Sequence, residues 1–392
     1  MFLAKAGRHY QNSRNSDLGP DDRSNVSALS PYIRHRLLTE EEVLQKVLAK
    51  HTPIAAEKFI QEVFWRTYFK GHLETRPFIW NNYRATLQNL KMTGGSATAY
   101  NGAVSANTGI DCFDAWVREL VDHGYLHNHA RMWFASIWIF TLRLPWELGA
   151  DFMYRHLLDG DPASNTLSWR WVAGLHTKGK TYLARADNIE TYTQGRFKPC
   201  GLAHQAPALE ELEASPLRKL PSSISCFPEG KIGILITEED LHIESFDTRH
   251  AEIIAVAGAT SIAQRSHFPV ADHVQYFTTN ALADALKRVA EKHKCAAVEL
   301  PNLTVEAVTS FAEQHHIQKL VTPYASVGPV AELLSILATG LGARGIELVQ
   351  VRRAFDSNAW PHSSKGFFAM KEKIPSLIEK FIRTDDNQLS LI

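Results

Sequence analysis

The chain has 392 residues, 45% of them hydrophobic, which is enough for two or three folded domains. No segment approaches the roughly 18 uninterrupted apolar residues of a membrane span, and the N-terminal apolar part is too short for a secretory signal. The four cysteines form no CxxC pair. A reduced, cytoplasmic protein without a zinc finger or a cysteine-bound cluster is therefore expected.

The formal net charge is zero, but it is unevenly spread. Residues 1–200 hold 24 Lys and Arg against 19 Asp and Glu, and the remainder holds 18 against 23. The first part is thus mildly basic. This excess is compatible with a phosphate-binding face and equally with a solvated surface of mixed charge.

The sequence pattern of the first half predicts helices. From Ser30 to about Phe197 apolar residues recur at helical spacing, and no segment has the pattern of a strand. Thr39 precedes three glutamates, an arrangement typical of a helix N-terminus. The clearest helices are predicted over 55–74, 111–123, 129–142 and 146–158, with a loop at 93–96.

The second half has a different periodicity. Residues 203–230 are rich in proline and serine and predict a linker. Short apolar runs then predict strands at 232–237, 252–258, 273–278, 296–300, 319–322 and 348–352, and helices at 281–292, 305–315 and 330–341. This alternation predicts an open parallel α/β sheet. No GxGxxG or Walker motif follows the first strand, so the sequence gives little support to a nucleotide site in this half.

Residues 126–171 are the most informative segment. Asp159 and Asp161 flank Gly160, a spacing that can aim two carboxylates at one ligand and that would also suit a turn capping a helix. Asn165 follows Asp161 by four residues, about one helical turn. Three tryptophans lie close by at 146, 169 and 171. So many indoles near one polar site are typical of light-driven flavoproteins.

Four segments of the first half together resemble the FAD-binding domain of the cryptochrome/photolyase family, from about residue 10 to residue 197. They are Val-Ser-Ala-Leu-Ser-Pro-Tyr-Ile at 26–33, Glu-Val-Phe-Trp-Arg at 62–66, the run from Thr-Gly to Arg-Met at 108–132, and Leu-Leu-Asp-Gly-Asp to Trp-Arg-Trp at 157–171. The resemblance implies an all-helical FAD-binding domain at 1–202 and a linker at 203–230. The second half, 231–392, in turn resembles the family's Rossmann-like α/β antenna domain, and its segment from Phe355 to Lys380 is similar to the one that ends that domain.

In that family the antenna domain normally comes first, so this chain resembles a circular permutant. Permutation is tolerated where the termini of a domain lie at the surface and close together. The resemblance does not identify a second, antenna chromophore.

The resemblance also implies which side chains contact FAD. Asp159 and Asp161 would lie beside the flavin and its ribityl chain, with Arg131 as an ionic partner. Asn165 would face flavin N5, where an amide supports the fully reduced flavin; as an isolated residue it would equally suit a helix cap. The remaining cofactor contacts implied are Tyr10, Ser27, Leu29 and Ser30.

A second set of side chains is implied to contact DNA. Trp65 and Trp171 would sandwich an extruded pyrimidine dimer, since stacking contributes roughly 1–3 kcal/mol per base and offsets a flipping cost of a few kcal/mol. Glu62 would hydrogen-bond the dimer. Considered singly, each tryptophan would suit core packing. The other DNA contacts predicted are Arg14, Asn128, Met132 and Gln194.

Trp169 and Trp146 match the inner two tryptophans of the family's photoreduction chain. The surface member has no counterpart at its usual place, and the sequence leaves four candidates open: Trp80, Trp116, Trp133 and Trp138. His127 and His129 are not expected to bind a metal, because residues two apart on a helix do not face each other.

The resemblance implies a DNA photolyase, a carbon–carbon lyase that uses blue light and FAD to repair pyrimidine dimers by electron transfer from the reduced flavin. The alternative is a cryptochrome-like photoreceptor without repair activity, acting through a partner protein. A third possibility is a light-independent DNA- or protein-binding module with a vestigial flavin site. The presence of Glu62, Trp65, Asn165 and Trp171 favours repair over both. The sequence does not identify the lesion type or the oligomeric state.

Overall fold

The computed structural model describes residues 2–90, 93–211 and 216–382. A helical half (residues 2–202) is followed by an α/β half (residues 230–382) built on a parallel sheet. Residues 212–215 of the predicted linker and 383–392 of the predicted second domain lie outside the described residues.

The helical half carries helices α1 to α11, with a π-helical turn at Ile137–Thr141 that continues α8. Their bounds are α1 (Arg8–Ser13), α2 (Ser30–Arg34), α3 (Glu40–Leu48), α4 (Glu57–Glu74), α5 (Pro77–Asn89), α6 (Gly94–Val104), α7 (Asp111–His123), α8 (Asn128–Ser136), α9 (Trp146–His156), α10 (Pro162–Val172) and α11 (Ala186–Tyr192).

Local sequence sets several of these boundaries. Thr39 and Glu42 form a capping box at the start of α3. Helix α7 ends at Gly124, whose φ of 63° is left-handed and favours glycine. Asp161 caps α10, and Pro162 occupies its first turn, where proline costs no helical hydrogen bond. The predicted acidic turn is therefore also a helix start.

Five parallel strands form the sheet of the α/β half, in the order β3-β2-β1-β4-β5. The strands are β1 (Gly230–Ile236), β2 (Ala251–Gly258), β3 (Ala296–Glu299), β4 (Lys319–Pro323) and β5 (Glu347–Val351). Helix α12 (Asp272–His293) covers one face, and α13 (Val305–Gln314) with α14 (Pro329–Gly342) covers the other. The predicted parallel α/β sheet is confirmed.

The chain then returns to the helical half. Helices α15 (Ala354–Ala359), α16 (Phe367–Lys371) and α17 (Ile374–Phe381) pack on α4 and share one apolar core with it. Phe64 of α4 lies 5.5 Å from Phe355 between ring centroids. The last segment of the α/β half thus supports a central helix of the first half.

Two local predictions were wrong. Residues 273–278 belong to α12 instead of a strand, because Val274, Thr278, Ala281, Leu282 and Ala285 are buried at helical spacing. The predicted loop at 93–96 contains the start of α6, which buries only Ala103 and so lacks the apolar stripe that would signal a helix.

The carboxyl ends of the strands face the helical half. Tyr324, after β4, donates from its hydroxyl to Glu74 Oε2 at 2.9 Å, and Arg265 Nη1 donates to the carbonyl oxygen of Leu157 at 3.3 Å. Across the three described ranges, no helix combines the length and apolar character needed to cross a membrane.

Candidate active site

A cavity of about 670 Å³ opens in the helical half, within the range of small-molecule and cofactor sites. It lies between α1, α2, α4, α8 and α10. All but two of the predicted site residues line it: Tyr10, Arg14, Ser27, Leu29, Ser30, Glu62, Trp65, Asn128, Arg131, Met132, Asp159, Asp161, Asn165, Trp169 and Trp171. Side chains far apart in sequence are thus brought to one place.

The acidic turn forms the floor of the cavity. Arg131 Nη2 donates to Asp159 Oδ2 at 2.9 Å, and the backbone N–H of Ser164 donates to Asp161 Oδ1 at 2.7 Å. Burial alone would raise the pKa of both carboxyls. The ion pair with Arg131, and the nearby Lys70 and Arg34, instead hold the pKa of Asp159 and Asp161 below the ordinary value. Both side chains are therefore ionised at neutral pH.

Several buried polar atoms around the cavity lack a hydrogen-bond partner in the part of the chain that the structure describes. They include Asp159 Oδ1 and Arg66 Nη1. Buried polar groups are rarely left unpaired, so these atoms indicate a polar ligand. A carboxylate acceptor suits the polar ring edge of FAD, and a guanidinium donor with the serines of the Ser27–Ser30 loop suits its phosphates.

Asn165 lies on α10, one turn from Asp161. Its Nδ2 donates to the carbonyl oxygen of Ala150 at 2.8 Å, which anchors the amide to α9. The amide oxygen Oδ1 is then the acceptor that the side chain can offer to a ligand in the cavity.

Glu62 and two indoles line the same cavity. Glu62 Oε1 accepts from Arg14 Nη1 at 2.6 Å, and burial raises the pKa of Glu62 although Arg14 opposes the shift. Trp65 stacks on Phe367 with ring centroids 3.7 Å apart and planes 10° apart. Trp171 is 36% exposed, so an indole face is available at the opening of the cavity.

The inner indole, Trp169, is 2% exposed and lies between α9 and the cavity. Among the described residues, the aromatic rings in contact with it are Phe134 and Trp138, the latter perpendicular at 6.2 Å. Trp138 in turn contacts Tyr100, at 6.0 Å and perpendicular.

Trp146 and Gln194 are the two predicted site residues that do not line the cavity. Trp146 is buried against Tyr83, with ring centroids 5.6 Å apart, and is not a ring neighbour of Trp169. Gln194 is exposed just beyond α11, in a left-handed conformation with φ of 54°.

Sequence reasoning gave no role to two residues that bear on the cavity, Arg66 and Phe367. Arg66 falls within the Glu62–Arg66 motif, but its unpaired guanidinium becomes apparent only in the fold. Phe367 has no local signal, because it stacks on Trp65 from the other end of the chain. Trp138 was one of the four tryptophans that the sequence left open, and only the fold shows that its ring contacts Trp169. A proximity of that kind is a property of the tertiary structure.

Residues 59–212 match the family described as the FAD binding domain of DNA photolyase. This segment of the chain is therefore similar to the FAD-binding domain of the photolyases. The domain that the match identifies takes FAD as its cofactor.

Several photolyases are similar to part of the chain. A deoxyribodipyrimidine photo-lyase of Streptomyces griseus is 29% identical over 216 residues, which cover 51% of this chain and 44% of that protein. One from Alkalihalophilus pseudofirmus is 30% identical over 163 residues, covering 40% and 33%. The chain thus spans less than half the length of these relatives.

Among solved structures, a class III photolyase from Agrobacterium tumefaciens is 25% identical with a TM-score of 0.42, over 49% of this chain and 40% of that one. A cryptochrome from Synechocystis is 23% identical with a TM-score of 0.41, over the same shares.

Proposed function

We propose that the chain is a DNA photolyase that repairs pyrimidine dimers with FAD and blue light. One observation carries the proposal: the side chains expected to contact the lesion line the same cavity as those expected to contact the flavin. A single cavity that holds both groups is what direct electron transfer between them requires.

When bound and reduced, FAD would supply on excitation the electron that opens the cyclobutane ring, and would take the electron back once the two bases have separated. The residues of the chain would bind the flavin and the lesion and orient them relative to each other. Arg131 and Asp159 form a charge pair beside the ring, Asn165 offers an acceptor held in place by Ala150, and Arg66 offers a buried donor. None of these side chains needs to change its protonation state.

Glu62 and the two indoles would receive the lesion. Trp65 and Trp171 provide flat apolar faces for the two bases of a flipped dimer, and the stack of Phe367 behind Trp65 holds that indole in place. Glu62 would hydrogen-bond the dimer. Its raised pKa keeps a proton on the carboxyl to higher pH than usual, and Arg14 fixes its position.

The α/β half would correspond to the antenna domain of the family, placed after the FAD-binding domain instead of before it. The change from helices to a parallel sheet supports this assignment, with domains at 1–202 and 231–392 joined by a linker at 203–230. We further propose that dimer-containing DNA is the partner of the cavity.

The test is light-dependent loss of thymine dimers from an oligonucleotide, with pre-reduced protein and a dark control. We expect repair under blue light and none in the dark. A protein that binds FAD and responds to light, but leaves the dimers intact, would instead be a cryptochrome-like photoreceptor. A purified protein without a flavin absorption band would overturn both functions.

A further inference from the structure

A buried cluster of four charges links the cavity to the α/β half. Arg34, Lys70 and Asp161 come from the helical half, and Glu239 follows β1 in the α/β half. The four side chains are 1%, 6%, 0% and 4% exposed in that order. Two cations and two carboxylates balance to zero, and of the four only Asp161 lines the cavity.

The distances show which contacts fix the cations. Arg34 Nη2 donates to Glu239 Oε1 at 2.5 Å, and Arg34 Nε donates to the carbonyl oxygen of Gly160 at 2.8 Å. The distance from Arg34 Nε to Asp161 Oδ2 is 3.6 Å. Lys70 Nζ lies between the two acids, 3.6 Å from Glu239 and 3.7 Å from Asp161. Arg34 is therefore held by Glu239, and acts on Asp161 through charge.

The position of Glu239 in the sheet explains how it reaches the cluster. It lies in the segment after β1, at the carboxyl edge between β1 and β4, where open α/β sheets commonly bind ligands. Here the helical half occupies that crevice. His35 Nδ1 lies 2.7 Å from the carbonyl oxygen of Glu238, and the N–H of Leu241 donates to the carbonyl oxygen of His35 at 2.9 Å.

We propose that Glu239 is a positioning residue for the cofactor site: it holds Arg34 and Lys70 and thereby sets the charge around Asp161. The proposal rests on the cavity being the FAD site. The α/β half would then contribute a buried charge to the cofactor environment, in addition to its apolar packing on α4.

Electrostatics gives the expected sign. Reduction adds negative charge to the flavin, so the charge of the cluster biases the flavin midpoint potential. Glu239→Gln would leave the cluster with an excess positive charge, which favours the reduced flavin and moves the potential to more positive values. Lys70→Gln would leave an excess negative charge and move the potential to more negative values. The double variant would restore neutrality.

Asp240 supplies a matched control in the same segment. Its carboxylate is equally buried and accepts from Arg353 Nε at 2.7 Å and from Arg36 Nη1 at 3.1 Å. The acids that pair with these two arginines are Glu40, Asp240 and Asp356, whereas Arg34 and Lys70 lie beside Asp161. Asp240→Asn should therefore lower the thermal stability of the protein without moving the flavin potential. Glu239→Asp, which keeps the charge, should stay close to the wild-type potential.

The experiment measures the flavin midpoint potential of the full-length holoprotein for wild type, Glu239→Gln, Lys70→Gln, the double variant, Glu239→Asp and Asp240→Asn. Opposite shifts in the two single variants, and a return toward wild type in the double variant, support the proposal. Should Glu239→Gln fail to fold, Lys70→Gln and the double variant still decide the sign.

Shifts of equal sign in the two single variants, no shift in either, or an equal shift in Asp240→Asn would overturn the proposal. Wild-type protein that takes up no FAD would instead overturn the cofactor assignment on which the proposal rests. The two failures are therefore distinguishable.

Discussion

At the scale of single residues, the aromatic contacts define a route to the cavity that differs from the sequence prediction. The family resemblance implied Trp169 and then Trp146, but Trp138 is the indole in contact with Trp169, and Tyr100 contacts Trp138. The rate of electron transfer falls steeply with distance. We therefore expect Trp138, the indole next to Trp169, to pass the electron on.

We therefore expect Trp169→Phe and Trp138→Phe to slow photoreduction of the oxidised flavin, while FAD stays bound. Phenylalanine keeps most of the packing volume but is much harder to oxidise than an indole. Trp146→Phe is the matched control and should photoreduce at the wild-type rate. The rate of flavin bleaching under blue light measures all three, and slow bleaching in Trp146→Phe alone would restore the sequence-predicted route.

The stacking faces allow a second residue-scale prediction. Trp65→Ala or Trp171→Ala should weaken binding to dimer-containing DNA by about 1–3 kcal/mol, the contribution of one stacked base. Binding to undamaged DNA rests on phosphate contacts and should barely change. The affinity of each protein for the dimer-containing and for the undamaged oligonucleotide is measured by titration at one salt concentration. Equal losses for damaged and undamaged DNA would show that these indoles do not receive the lesion.

At the scale of elements, α9 and α10 approach closely because Gly149 has no side chain. A Cβ at this position would lie 2.3 Å from the Trp169 ring and 2.9 Å from Trp138. The space between Gly149 and these two rings is too small for a methyl group.

Gly149→Ala should destabilise the protein by about 1–3 kcal/mol through overpacking, and should weaken FAD binding because Trp169 lines the cavity. Gly342→Ala is the control: this helical glycine has open space around its Cβ position. Chemical denaturation and FAD titration measure both effects. Equal stability of the two variants would mean that α9 and α10 are packed more loosely than described.

Helix α4 also carries a buried histidine that contacts the last segment of the α/β half. His72 Nδ1 lies 3.2 Å from the carbonyl oxygen of Ser363, and burial, with the nearby His176 and Arg76, lowers the pKa of His72 to about 3. The unfolded chain takes up this proton near pH 6.5, whereas the folded chain does so only near pH 3. The stability that this group contributes is thus present above pH 6.5 and is lost as the pH falls toward 3.

Between pH 7 and pH 5 the wild type should therefore lose roughly 2 kcal/mol more unfolding free energy than His72→Asn, which cannot take up the proton. Other titrating groups are common to both proteins and cancel in the comparison. Urea denaturation at the two pH values measures the difference. If the unfolding free energies of the two proteins fell by the same amount, His72 would take up its proton as readily in the folded chain as in the unfolded chain, and its pKa would not be lowered.

Some elements were predictable from the sequence and others were not. The helices around α4, α7 and α9 and the acidic turn were predictable because their apolar spacing and capping residues are local. Residues 273–278 were misread because a short run containing Val274 and Thr278 fits a strand as well as a buried helix face. Burial on α12 decides between the two, and burial is set by the sheet beneath.

At the scale of the whole molecule, the two halves are joined by buried charges as well as by apolar packing. Arg36 pairs with Asp240 and Asp356, and Arg34 with Glu239. Removing one partner of such a pair leaves a buried charge without compensation, which costs far more than an exposed pair contributes. The sequence predicted two domains in this order, but it could not predict that Glu239, after β1, would share Arg34 and Lys70 with Asp161 of the cavity.

We propose that a pyrimidine dimer is repaired in the cavity that Glu62 lines. The most direct measurement is the quantum yield of thymine-dimer repair under blue light, with pre-reduced protein so that the tryptophan route does not matter. We expect repair by the wild type and a lower yield in Glu62→Gln, which keeps the shape of the carboxyl but loses a charge-assisted contact, with FAD still bound. No repair by the wild type, or an equal yield in Glu62→Gln, would contradict the account.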